Sequence, residues 1–328
     1  PLVDPQQWQG TQIDYNVRAA RMGWLPTAPH FDVNPLGIAK AAETAGQTPA
    51  AYLADNLKAG KIDFAFADPD NPVNFPRNLF VWRSNLLGSS GKGHEYFLKH
   101  LLGAQNGVQG KDLGEEGAAK PEEARWHDEA PRGKLDLLVT LDFRMSTTCM
   151  YSDVVLPTAT WYEKHDLNTS DMHPFIHPLS AAVDPAWESR TDWAIFRSIA
   201  KRVSELAPGH LGVETDVVLA PLMHDSPGEL GQTGVVRDWF KGECEPIPGK
   251  TMPNVAVVQR DYPNLHARYT ALGPLMDKLG NNGKGMAWKT GDEVAFLRRL
   301  NGEARVPGVD QPLAKIESDI DACEVIMH

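Results

Sequence analysis

The stretch Leu135-Asp-Leu-Leu-Val-Thr-Leu-Asp-Phe-Arg-Met-Ser-Thr-Thr-Cys-Met-Tyr-Ser-Asp-Val-Val-Leu-Pro157 decides the fold. Two apolar runs stand in it, Leu135 to Leu141 and Asp153 to Pro157. Each is too short for a helix and is bounded by polar residues, so each reads as a buried strand. The first ends on Asp142, and Thr147 and Thr148 are placed to cap a short helix around Met150 between the two. Leu79-Phe-Val-Trp82 is another such strand, followed by Arg83-Ser84-Asn85 and the Gly/Ser loop Gly88 to Gly93. Near-continuous apolar strands separated by helical segments predict an α/β class, a parallel sheet covered on both faces.

Outward from this centre the texture changes. Residues 1–35 show no clear period. Two short helices follow, one opening at Pro35 and one after Thr48-Pro49, with Thr48 as N-cap. Asp68 to Arg77 holds three prolines, which fix φ and stop helices, so it reads as a rigid linker and domain boundary. Helical spacing runs from His94 to Leu102, and 104–134 is a charged, Gly-rich surface excursion. From Asp192 an amphipathic helix runs through Trp193, Phe196, Ile199, Ala200 and Val203 to Pro208-Gly209. Residues 210–328 read as loops with helices at 263–279 and 292–300. The last pattern, Ile316, Ile320, Cys323, Ile326 and Met327, has helical spacing and no stop signal, as expected of an internal piece of a longer chain.

The chain has 328 residues, 42% apolar and 23% charged, which excludes wholesale disorder. A net charge of −11 argues against nucleic acid as a partner, because such binding needs a basic surface. No run of about 18 apolar residues is present, so the sequence predicts no membrane span, and its start predicts no signal peptide. The three cysteines (Cys149, Cys244, Cys323) are scattered, which fits a reducing compartment and offers no CxxC metal pair.

In a doubly wound sheet, ligands sit beyond the carboxyl ends of the strands. Asn85 there bridges a phosphate or caps the following turn. Asp142 accepts from a ribose diol or caps the helix at 147. Lys164 is either a cation at the same edge or half of a solvated Glu163–Lys164 pair. Asp192 is either a first-turn acid beside the cap Thr191 or a carboxylate that takes two parallel hydrogen bonds from guanine. Lys92 is followed by Gly93, so the Gly/Ser loop fails the phosphate-loop template. His173 and His177 are separated by Pro174 and cannot form a helical zinc pair; buried hydrogen bonding is the reading for both. By residue chemistry alone the chain is a nucleotide-type α/β binder.

A resemblance goes further. The strand ending on an acid, the Thr-rich turn, Ser152-Asp-Val-Val-Leu-Pro157 and Trp161-Tyr-Glu-Lys164 resemble a signature of the dimethyl-sulfoxide-reductase family of molybdopterin oxidoreductases. The run His165 to Leu179 and Val81-Trp-Arg-Ser-Asn-Leu-Leu-Gly-Ser-Ser-Gly-Lys-Gly93 to His100 are similar to the catalytic subunits of membrane-bound respiratory nitrate reductases. The resemblance implies a Rossmann-like doubly wound domain at 76–209, with 1–75 an irregular and helical segment of a neighbouring domain. Residues 210–328 would be a loop and helix extension leading to a further C-terminal domain. It implies Mo-bis(molybdopterin guanine dinucleotide) as cofactor, with Asn85, Leu141, Asp142, Lys164 and Asp192 holding the guanosine and phosphate half of one of the two dinucleotides. Nitrate would be reduced to nitrite by two electrons in the intact subunit. The 4Fe-4S ligands and the molybdenum-ligating aspartate would lie outside this chain, which is assigned no catalytic residue. The implied partners are an iron–sulfur beta subunit and a membrane haem gamma subunit, which would hold the enzyme at the membrane, on its cytoplasmic face. The competing reading is a non-catalytic nucleotide-binding or scaffold module that kept the fold.

Overall fold

The computed structural model describes residues 10–25, 29–89, 93–105, 120–169, 176–223, 237–271, 281–283, 286–288, 291–317 and 321. In chain order its α-helices and strands are α1 (Gln12–Arg21), α2 (Pro35–Thr44), α3 (Pro49–Lys58), β1 (Asn78–Trp82), α4 (Leu86–Ser89) and β2 (Leu137–Asp142), with a π-helical turn at Tyr96–Leu101 where the sequence predicts helical spacing. Then come α5 (Thr147–Met150), β3 (Val154–Pro157), β4 (Asp166–Thr169), β5 (Ile176–Leu179), α6 (Asp192–Leu206) and β6 (Val213–Ala220). The last are β7 (Asn254–Asp261), α7 (Leu265–Thr270), β8 (Asn281–Gly283), β9 (Met286–Trp288) and α8 (Gly291–Leu300). They divide between two compact units, one of residues 1–79, 86–138 and 211–262, the other of 80–85, 139–210 and 263–328.

The first unit is built on a long antiparallel pair, β6 with β7, in register from Val213 opposite Asp261 to Ala220 opposite Asn254. Helix α2 packs on β6 and α3 on β7. Ile38, Leu53 and Leu57 from the helices meet Val217, Leu219 and Met252, with Phe64 and Trp239 closing the core. Asn34 and Thr48 cap α2 and α3, each with a proline in the first turn. The sequence reading of 210–262 as loops is corrected by this pair. The strands are separated by more than thirty residues, so no hairpin turn announces them. Helix α1 also escaped it, because the helix buries Asp14, Arg18 and Arg21, and a polar buried face leaves no apolar period. The proline-rich run 68–77 is no free linker. Asp68 holds His127 at 2.7 Å, Asp70 pairs with Lys134, and Arg77 pairs with Asp136 at 2.6 Å, all within the first unit.

The second unit carries the site. Strands β1, β2 and β3 lie side by side in that order. β2 and β3 are parallel, with Asp142 level with Pro157. Leu137 N donates to Arg77 O at one end of β1, and Arg83 N donates to Leu141 O at the other, so β1 runs the same way. The class is therefore α/β with a parallel three-stranded sheet. β2 is buried through its last five residues, as the apolar run predicts. The connection from β2 to β3 holds only the single-turn helix α5. Past β3, Thr158 bridges to Arg190 in parallel sense, and the chain then enters α6. Helix α6 starts where the sequence places it, with Thr191 accepting from Ala194 N at 3.1 Å. Trp193, expected on its buried face, is 55% exposed and lies 6.2 Å from the Tyr269 ring of α7. α7 ends at Thr270, short of the expected helix, whose continuation at 272–279 lies outside the described residues. The terminal pattern around Cys323 to Met327 lies outside them too.

Candidate functional site

Beyond the carboxyl ends of β1 and β2 the second unit opens into a cavity of about 630 Å³. Asn85 and Asp142, expected there from sequence, both line it. Asn85 Oδ1 accepts from Thr148 N at 3.3 Å and from Thr148 Oγ1 at 3.1 Å. An amide distant in sequence thus caps α5; neither Thr147 nor Thr148 does so, and Ser146 at the N-cap makes no side-chain cap bond. Asp142 Oδ1 accepts from Phe143 N at 2.8 Å and from Arg144 N at 3.3 Å, which fixes the carboxylate at the strand tip. Its Oδ2 makes no hydrogen bond among the described residues, so one oxygen is available to a donor from a ligand.

The other three expected residues stand behind this wall. Leu141 is fully buried, and its carbonyl serves Arg83. Lys164 and Asp192 form a buried ion pair, Nζ to Oδ2 at 2.7 Å. Lys164 also holds Asp166 at 2.7 Å, and Trp82 Nε1 donates to Asp192 Oδ1 at 2.8 Å. Asp192 is therefore more than a first-turn acid: its carboxylate joins the end of β1, the loop after β3 and the start of α6. His177 lies exposed on β5, which corrects the buried reading; His173 lies outside the described residues, as do Ser90 to Lys92 of the Gly/Ser loop.

Sequence reasoning missed the two guanidiniums that line the cavity, Arg83 and Arg144. Arg83 Cζ lies 5.4 Å from the Phe143 ring centroid and 5.3 Å from that of Trp161, and its Nη1 lies 3.7 Å from Asp192 Oδ2. Arg144 Cζ lies 4.9 Å from Phe143. Two cations held on aromatic faces beside a carboxylate and an amide suit an anion with an attached polyol. The signal was present in Trp82-Arg83-Ser84, but an arginine after a strand looks like any surface arginine until its rings are placed.

A second cavity of about 570 Å³ shares the Asp142–Met145 turn and reaches Thr158, Trp187 and Glu188. Thr158 is 3% exposed, and its Oγ1 is buried with no hydrogen-bond partner among the described residues. A buried hydroxyl without a partner costs about 1–3 kcal/mol. Glu163, on the same wall, is engaged in a capping box with Thr160. Among the described residues no helix is long and apolar enough to cross a membrane.

A family profile described as molybdopterin oxidoreductase matches residues 12–202, and one described as nitrate reductase alpha chain, domain V, matches residues 279–328. The chain is 62% identical to the respiratory nitrate reductase 2 alpha chain of Escherichia coli (strain K12) over 328 residues, covering 100% of this chain and 26% of that protein. It is 59% identical to the respiratory nitrate reductase 1 alpha chain of the same organism, with the same coverage. It is 52% identical to the nitrate reductase alpha chain of Bacillus subtilis (strain 168) over 321 residues, 96% of this chain and 26% of that one. The chain thus spans about a quarter of the length of these relatives.

Proposed function

Because this chain belongs to the molybdopterin oxidoreductase family, we propose that it is the part of a molybdenum nitrate reductase that holds the guanosine and phosphate end of one molybdopterin guanine dinucleotide. The intact subunit reduces nitrate to nitrite. Its iron–sulfur cluster and molybdenum ligands are supplied from outside these residues, and iron–sulfur and haem subunits hold it at the membrane. Along the chain, residues 76–209 would carry the Rossmann-like domain between the neighbouring-domain segment 1–75 and the extension 210–328, with the site on its residues 80–85 and 139–209 and the excursion 86–138 in the other compact unit.

The observation that carries this reading is the strand-end cavity, whose donor set fits a nucleotide. Arg83 and Arg144 supply charge for phosphate, Asp142 Oδ2 an acceptor for a ribose diol, and Thr158 Oγ1 an unmet hydrogen bond. Asn85 fixes the α5 turn that faces the ligand, and Leu141 anchors the strand tip. The Lys164–Asp192 pair locks the elements behind the wall. Bound here, the cofactor supplies two-electron chemistry at molybdenum. The residues of this chain bind and orient its far end and move no proton.

The test is cofactor content. Asp142→Ala in the full-length subunit is expected to lower bound guanine nucleotide and molybdenum together by about tenfold or more, the worth of one charge-assisted hydrogen bond. Undiminished content of both would sink the assignment. The 328-residue chain alone is expected to show no nitrate reduction when cofactor is supplied, and turnover by it would contradict the absence of catalytic residues.

A further inference from the structure

Among the described residues only two that are not glycine have a left-handed backbone, Arg83 at φ 55° and Trp187 at φ 53°. Bulky side chains avoid this region, and such outliers persist where the surroundings impose them for a purpose. Both line the strand-end cavities, on either side of the Asp142–Met145 turn. We propose that these two residues contact the two ends of the bound nucleotide, Arg83 gripping the phosphates and Trp187 forming the face on which the purine base stacks. The inference rests on the nucleotide reading of the site and adds to it both the ligand polarity and two contact residues.

The surroundings of each residue support its role. Arg83 N remains in the sheet, bonded to Leu141 O at 2.7 Å, and the left-handed turn after β1 then directs the side chain over the rings of Phe143 and Trp161. Asp192, at 3.7 Å, gives the guanidinium a counter-ion that does not itself line the cavity. A guanidinium fixed on aromatic faces keeps its planar fork for phosphate oxygens. Trp187 sits in a turn closed by Ser189 N and Oγ on Ala186 O, at 3.1 and 2.5 Å. That turn is pinned to the end of β3 by Arg190 N on Pro157 O at 3.2 Å. The indole is 88% exposed, although a tryptophan is among the costliest side chains to leave in water. Thr158, whose buried hydroxyl has no partner among the described residues, lines the same cavity. A flat aromatic ligand would cover the indole.

Glycine is the residue this backbone prefers, so Arg83→Gly and Trp187→Gly relieve strain while deleting the side chain. In the full-length subunit both variants are expected to unfold at the parent temperature or above it and to retain about tenfold less guanine dinucleotide. Trp187→Phe is expected to restore retention. Salt separates the roles: retention by the parent and by Trp187→Gly falls as ionic strength rises, and retention by Arg83→Gly falls less. Full cofactor content in the glycine variants, with Asp142→Ala depleted, would overturn this inference and leave the nucleotide site standing. Full content in Asp142→Ala as well would remove the nucleotide reading itself. Failure of Trp187→Phe to rescue would overturn stacking.

Discussion

The Lys164–Asp192 pair joins the elements around the strand-end cavities without lining either of them. Both side chains are buried, 3% and 7% exposed, so each ion relies on the other to offset its lost hydration. Removing one partner is far worse than removing both. Lys164→Met leaves the buried carboxylate with the Trp82 indole at 2.8 Å and the Arg83 guanidinium at 3.7 Å, and should cost about 3 kcal/mol. Lys164→Met with Asp192→Leu should cost less, because the two buried charges go together and only the more exposed Asp166 and Arg83 lose a partner. Denaturant unfolding of the intact subunit, followed by a probe in α6, measures the difference. Equal losses in the single and double variants would show that the pair contributes nothing as a pair. Sequence placed a cation and an acid at this edge, but their partnership spans 28 residues and no chain spacing reveals it.

At the level of elements, start signals worked where the chemistry is local. Thr191 caps α6 through Ala194 N, and Thr191→Ala should destabilise that helix by about 1 kcal/mol, while Thr191→Ser should be nearly neutral. Protection of α6 amides against hydrogen exchange reads this directly. The strands β2 and β3 were legible for a similar reason: a short apolar run between turn residues has few alternatives. α1, β6 and β7 were not. α1 turns charged residues inward, and β6 finds its partner only through a distant segment. The close approach at Gly23 was equally invisible. Its φ is +79°, and a Cβ there would stand 2.9 Å from Leu222 Cγ and 3.0 Å from the Pro253 backbone. Gly23→Ala combines strain with a backbone clash and should cost more than about 1 kcal/mol; an unchanged unfolding midpoint would refute the packing described.

For the molecule as a whole, the net charge of −11 says little, because the charges that matter are the buried ones. In the first unit Arg21 holds Asp238 at 2.6 Å and Glu123 at 2.7 Å, Lys241 holds the other oxygen of Glu123 at 2.7 Å, and Arg21 stacks on Phe240. Asp14, reciprocally capping α1 with Thr11, accepts from Glu122 N and Glu123 N at 2.6 and 2.7 Å. Burial alone would raise the pKa of both Asp14 and Glu123. For Glu123 the bonds from Lys241 and Arg21 outweigh it, and for Asp14 the backbone donors and Thr11 do, so both lie below their ordinary values of 4.5 and 3.8. A carboxylate whose folded pKa is depressed contributes stability that is fully present above its unfolded pKa and is lost as pH falls through the folded one. The contributions of Asp14 and Glu123 should therefore be constant from neutrality down to about pH 5 and be lost progressively below pH 4.5, while Asp63 of the same unit, whose pKa burial raises, works in the opposite sense. Glu123→Gln should lower the neutral plateau, since Arg21 and Lys241 lose a charged partner, and should also flatten the acid limb. Protection factors of α1 amides in the intact subunit, corrected for intrinsic exchange and followed across this range, measure both effects. An acid limb as steep in Glu123→Gln as in the parent would mean that this network does not set the acid sensitivity.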